Sequence, residues 1–143
     1  MRIRKVNRYY CDFCKKANCS ASSIKKHEER CTLNPNRKCG MCAIMDEKQP
    51  DMNLLVAILP KDIAAEIQSE GWLSNKNIER VQEALPALRE AAENCPACIM
   101  AALRQAGIPV PAIKDFNFKN ECDEMWAKFN ESRREAEEQS CYE

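Results

Sequence analysis

The sequence predicts a mainly α-helical fold with a small α+β unit at the amino terminus. Three observations carry this reading. Only three of 143 residues are glycine and 6% are aromatic, against 45% apolar, a balance that suits helices better than a many-stranded sheet. Apolar residues of the second half recur at intervals of three and four, the helical period. Six of the ten cysteines and the only histidine crowd into residues 9–42, where too few apolar side chains remain to fold that end by burial alone.

Length and charge narrow the classes. A chain of this size makes one domain, or a minidomain with a modest partner. No apolar run reaches the ~18–20 residues of a membrane span, so no membrane partner is expected. The start, MRIRKVNRYY, is basic without the apolar region of a secretory signal. The expected address is therefore cytoplasmic, inside a host cell or on the nucleoid, where reducing conditions disfavour disulfides and ten cysteines point to metal. The formal charge of zero hides an asymmetry: residues 1–42 carry eleven Lys/Arg against three Asp/Glu, a net +8, and residues 43–143 the remaining eleven against nineteen, a net −8. Thiolates bound to a divalent ion trim the first figure by a few charges and leave it basic. Such a split implies a polyanion partner at one end and another role for the other.

Three regions follow: 1–33, a basic arm and finger; 34–110, a helical domain; 111–143, a linker and an acidic amphipathic helix. Residues 1–8 form an arm, flexible or a short first strand. Cys11-x2-Cys14 makes a tight turn, and a helix capped by one of Ser20 to Ser23 runs to about Cys31, with Ile24 inward. Asn34-Pro35-Asn36 is a connecting turn, and Cys39-x2-Cys42 a second knuckle in which Gly40 takes a backbone conformation other residues resist. Asp51 caps a helix through Leu54 to Ile58. The next runs from Pro60 to Gly71, with Ile63 and Ile67 inward and Trp72 and Leu73 packed behind it. Ser74 caps a third, whose Ile78, Val81, Leu85, Leu88 and Ala92 form an amphipathic stripe and whose Pro86 predicts a kink or two abutting helices. Asn94 as cap, Pro96 in the first turn and Gly107 beyond the last delimit a helix over about 95–106. IPVPAI is an extended linker. From Asn117 to about Glu138 a last helix places Phe118, Cys122, Met125, Trp126 and Phe129 on one face, with a polar, fraying end.

The chemistry sits in the cysteines. Cys11-x2-Cys14-x12-His27-x3-Cys31 brings two ligands from a turn and two from one helix face to tetrahedral corners, about 2.0–2.3 Å from one Zn²⁺. This stretch, Tyr9 to Cys31, resembles the ββα zinc-finger family in the variant whose last ligand is a cysteine. It departs from that pattern at Asn18, where the family carries a bulky aromatic, so the finger core is thin. Cys39, Cys42, Cys95 and Cys98 together resemble the four-cysteine sites of treble-clef and zinc-ribbon proteins, closed across 52 intervening residues by a helical insert. Two Zn²⁺ ions are therefore expected. Other arrangements stay open from sequence: a redox-active Cys95/Cys98 pair at a helix start, exchanged ligands such as His27 and Cys31 with Cys39 and Cys42, or Cys19 competing at the first site. Cys122 is expected to be simply packed, and Cys141 a spare thiol.

The expected function is non-enzymatic. The one histidine is committed to metal, which leaves no second imidazole for a zinc nuclease, and neither a Walker-type phosphate loop nor His-Glu-x-x-His occurs. Asn94, not proline, precedes Cys95, and no His-x-Glu lies upstream, so the deaminase pattern fails. Arg4, Lys5, Arg8, Lys15, Lys16, Lys25, Lys26 and Arg30, with Arg2, can reach the phosphates of DNA or RNA, and Tyr9, Tyr10 and Phe13 can stack on bases. The expected role is a nucleic-acid-binding accessory or regulatory factor. The alternative is a protein-interaction adaptor or inhibitor, of a kind that would suit a phage or mobile element, docking through its zinc modules or the acidic C-terminal helix.

Overall fold

The computed structural model describes residues 1–142. Among them stand seven α-helices, one 3-10 turn and one two-stranded antiparallel sheet, so the chain is mainly helical with its α+β portion at the amino end. The arm 1–8 is irregular and exposed. Strands β1 (Tyr9–Tyr10) and β2 (Ala17–Asn18) pair in the register Tyr9 with Asn18 and Tyr10 with Ala17. Helix α1 (Ala21–Arg30) follows, its cap Ser20 accepting the Ser23 N–H. The order is strand, strand, helix, with Asn18 in β2 paired to Tyr9. Only Ile24 is buried on α1, and Cys11 and Cys31 are the other buried side chains of this unit before the connecting turn. So small a core cannot by itself offset the cost of ordering some twenty residues at roughly 1–2 kcal/mol each.

The second unit is built around α6 (Pro96–Gln105). Its Pro96, Cys98, Ile99, Ala101, Ala102 and Leu103 are all buried, and its alanines let neighbours approach closely. Helices α3 (Met52–Ile58), α5 (Asn75–Ala91) and α7 (Phe118–Cys141) surround it, with α2 (Gly40–Ile44) and α4 (Ile63–Glu70) completing the shell. Asp51 and Ser74 cap α3 and α5 through their side chains. The stripe on α5 buries Val81, Leu85, Leu88 and the following Ala92, while Ile78 stays half-exposed. Pro86 lies exposed within one continuous helix: it faces solvent, so its missing N–H leaves no buried carbonyl on the core side.

Several expectations need correction. Trp72 does not pack; it is 72% exposed, and Leu73 alone of the pair meets the core. The reason is local: Gly71 ends α4 at φ 76° and turns the next side chain outward. Gly40 needs no unusual backbone, since it opens α2 with negative φ; its missing side chain instead leaves room for Arg30, whose guanidinium carbon lies 3.8 Å from where a Cβ would stand. Asn94 is not the cap of α6. Cys95 takes that position, and Glu93 and Asn94 precede it at φ 52° and 58°. The stretch 108–113 is no free linker, because Ile108 and Ile113 are buried and Val110–Ala112 form a 3-10 turn. Its attachment is reinforced by Arg89, which donates to the Asp115 carbonyl at 2.7 Å, pairs with Glu121 of α7 and lies over the Phe116 ring at 5.8 Å. Finally, α7 stays helical to Cys141 rather than fraying near Glu138.

The two units are joined. Gln105 Nε2 of α6 donates to the carbonyls of Thr32 and Asn34 at 2.9 and 3.1 Å, Arg104 donates to Thr32 Oγ1, and the Lys38 N–H bonds the Glu29 carbonyl at 2.8 Å. Asn34, itself buried, donates to the Glu28 carbonyl near the end of α1.

Candidate metal centres and the basic surface

Eight side chains converge in two sets. Cys11, Cys14, His27 and Cys31 form the first and Cys39, Cys42, Cys95 and Cys98 the second, the ligand atoms of each set lying within 4.8 Å of one another. The exchanged arrangement of His27 and Cys31 with Cys39 and Cys42 is not the one adopted. Cys19 lies outside both sets and is exposed, as is Cys141, while Cys122 is half-buried on α7.

At the first centre the β1–β2 turn supplies Cys11 and Cys14, and α1 with its C-cap supplies His27 and Cys31. The Cys11 N–H bonds the Lys16 carbonyl at 2.9 Å, closing the knuckle. The N–H groups of Phe13 and Lys16 donate to the sulfurs of Cys11 and Cys14, each at 3.4 Å. Such contacts aim thiolates and stabilise their charge. Cys14 Sγ stands 3.1 Å from His27 Nε2, so Nε2 is the ring nitrogen that faces the centre. Burial pushes the Cys14 thiol up, but the Lys16 N–H, His27 and the neighbouring thiols outweigh it and bring it down to about 7. Cys31 is raised, first by burial.

At the second centre all four cysteines are buried. Cys39 caps α2 and its sulfur accepts the Cys42 N–H at 3.4 Å. Cys95 is the N-cap of α6 and Cys98 lies in its first turn, where the positive end of the helix dipole favours thiolate. Cys39 Sγ lies 3.6 Å from Cys95 Sγ, and Cys42 Sγ 3.6 Å from Cys98 Sγ. A disulfide holds its sulfurs at ~2.05 Å; a tetrahedron with ~2.3 Å arms has edges of ~3.8 Å. The spacing matches the latter. Electrostatics agree. Hydrogen bonds from Cys95 and Cys98 hold Cys39 far below the ordinary thiol range, whereas Cys42 is pushed up to about 12 by burial and by Cys95 and Cys39. Cys95 and Cys98 are raised as well, each foremost through Cys39. One buried thiolate forbids its neighbours' ionisation; a divalent cation at the centre reverses that. Four sulfurs in one case, three sulfurs and an imidazole in the other, fit Zn²⁺ by donor chemistry.

The second centre has supports that lie outside the cysteine motifs. The side-chain amide of Gln49 accepts from the Cys39 N–H and donates to the Arg37 carbonyl, both at 2.6 Å. A lone glutamine in an irregular stretch carries no signal of such a task.

The basic residues form no such convergent set. Arg4, Lys5 and Arg8 lie on the exposed arm, Lys15 and Lys16 at the knuckle, and Lys25, Lys26 and Arg30 along α1, all exposed. Arg37, counted in the basic half, is withdrawn to 6% exposure. Arg8 lies over the Tyr10 ring at 5.9 Å. Phe13, Lys25 and Lys38 line a cleft of about 350 Å³ with Glu28, Glu29, Asn34 and Asn36. Among the described residues no helix is long and apolar enough to cross a membrane. Set against protein-family models, curated proteins and solved structures, the chain matches none of them.

Proposed function

We propose that this chain is a non-enzymatic, structural-zinc protein whose basic amino-terminal finger holds nucleic acid. The observation that carries the reading is the placement of charge: eight of the basic residues stand exposed on the arm, knuckle and outer face of α1, around a module rigidified by its own metal set. Because each set fills four positions with protein donors, neither leaves a place for a reacting water, which supports a scaffold rather than a catalyst. A single finger of the ββα kind covers about three base pairs, so the arm 1–8 adds contacts the finger lacks.

Titration of the zinc-loaded protein with labelled DNA and RNA across a salt series tests this. Affinity falling as a power of salt, with a slope of roughly −3 for about four single-strand phosphate contacts, is the expected result. Absence of binding to any nucleic acid at ~50 mM salt overturns it.

A second reading has its own observation. Residues 130–141 of α7 are exposed on every side and project beyond the half-buried Trp126 and Phe129, which meet edge to face at 5.9 Å. An acidic helix held out in this way is the place for a protein partner. Pull-downs that survive nuclease and high salt favour this reading over the first.

A further inference from the structure

We infer that the finger takes unpaired strands, stacking bases on Tyr10 and Phe13, and not the duplex that a ββα finger reads through its helix. The inference rests on the nucleic-acid reading above and narrows it.

Two sets of observations lead there. The first concerns α1. A finger that reads a duplex does so with the residue before the helix and the third and sixth within it. Here these are Ser20, Ser23 and Lys26. The Ser20 hydroxyl is engaged as the helix cap, accepting the Ser23 N–H, and Ser23 is too short to reach deep into a major groove. No arginine, asparagine or glutamine stands at any of the three, which leaves Lys26 as the one side chain there able to reach a base edge, that of guanine, where a duplex-reading finger covers three base pairs.

The second concerns the aromatic rings. Tyr10 is 64% exposed and Phe13 40% exposed, on a module with almost no core to spare. Exposed rings set among exposed basic side chains supply what a surface needs for stacking bases along a phosphate backbone. Tyr10 sits in β1, with Arg8 already over its ring; a base stacked there meets both a π-face and a guanidinium. Phe13 borders the cleft described above. Among its lining residues Lys25 and Lys38 suit a phosphate, while the amide of Asn36 and the carboxylate of Glu29 suit the Watson–Crick edge of one unstacked base. The Watson–Crick edge is free only in an unpaired strand. The chemistry is shared by single-stranded RNA and single-stranded DNA.

The test uses the full zinc-loaded chain and fluorescence anisotropy with three probes of one mixed sequence: single-stranded RNA, single-stranded DNA and the DNA duplex. Single strands are expected to bind at least ~10-fold more tightly than duplex at equal salt. Tyr10→Ala and Phe13→Ala are each expected to weaken single-strand binding about 5- to 150-fold, the range for losing one stacked base, with the salt slope unchanged. Tyr10→Trp and Phe13→Trp retain it. Two bound metals per chain in every variant show that the finger is intact. A preference for RNA over DNA, or the reverse, then identifies the source of the strand. Duplex bound as tightly as single strands, or alanine variants that bind like the parent, overturns this inference and leaves the nucleic-acid reading standing; no binding to any of the three overturns both.

Discussion

Gln49 clasps the backbone at Cys39: its side-chain carbonyl takes the Cys39 N–H while its amide nitrogen reaches the Arg37 carbonyl, each at 2.6 Å. The pair of bonds fixes the chain entering the second knuckle, so the first ligand of the four-sulfur centre is aimed before any ion arrives. Replacing Gln49 by leucine keeps the volume and removes both bonds. Zinc affinity at this centre is expected to fall ~10–100-fold, the usual effect of losing a support to a ligand. Chelator competition measures it; stoichiometry stays at two ions per chain, and an unchanged affinity contradicts the assignment.

Native mass spectrometry of the zinc-loaded protein is expected to show two ions per chain. Cys14→Ser leaves one and keeps most helical circular dichroism, because the helical core does not depend on the finger. Cys98→Ser also leaves one but destabilises the helical unit, since its sulfur sits at the centre of that core at zero exposure. In the loaded parent, alkylation reaches Cys19 and Cys141 rapidly, the two exposed thiols. Fast reaction of Cys95 or Cys98 before chelation speaks for a redox pair instead.

The sulfur environment sets an alkaline signature for the metal-free chain. Cys42 is raised from the ordinary 9.0 to about 12, and Cys95 and Cys98 lie above 9.0 as well. An acid whose folded value exceeds its unfolded value contributes in full below the unfolded value and loses that contribution as pH rises through the folded one. Stability of the chelated protein therefore falls between pH 9 and 12. Cys39, held low, contributes in full above pH 9 and adds no slope there; its share is lost as pH falls. The zinc-loaded protein stays level over pH 9–11, because the bound ion already holds the sulfurs of the second centre as thiolates, and loses its ions on acidification as protons compete. Thermal melts at stepped pH, with and without EDTA, check this; identical alkaline limbs refute it.

Gly107→Ala is expected to destabilise by about 1–3 kcal/mol, through left-handed backbone and overpacking together. Its φ is 76°, and the added Cβ would meet the Ala64 Cβ at 2.8 Å. Denaturant titration gives the value; a neutral result means that α4 shifts freely.

Arg89→Ala frees α7 at its start by removing the bond to Asp115, the Glu121 pair and the contact with Phe116. A loss of about 1–3 kcal/mol is expected for a partly buried charged hydrogen bond. Hydrogen exchange should quicken over residues 115–125 and not at the finger, and uniform protection would count against this role.

Metal ligands and helix starts were legible because each obeys a short-range rule. Two cysteines three apart, a histidine four before a cysteine, and Asp51, Ser74 and Asn117 ahead of amphipathic runs announce themselves within a few residues. Pairing Cys39 and Cys42 with Cys95 and Cys98 was also reachable, since two half-sites need each other. What stayed hidden depends on the whole fold. Gln49, Arg89 and Gln105 act across 10 to 73 positions, and nothing beside them in the chain marks them out. Trp72 misled because a large ring is expected to be buried, while the left-handed Gly71 before it decides otherwise. The stretch 108–113 misled in the opposite sense: its prolines read as spacer, yet Ile108 and Ile113 fill the core.

The 52 residues between Cys42 and Cys95 give the two centres different schedules during synthesis. The first can capture its ion as soon as Cys31 has cleared the ribosomal tunnel, while most of the chain is still untranslated. The second waits for Cys98, so the nascent molecule passes through a stage with one module closed and two cysteines, Cys39 and Cys42, ahead of their partners. At translation speeds of about 5–20 residues per second that interval lasts several seconds.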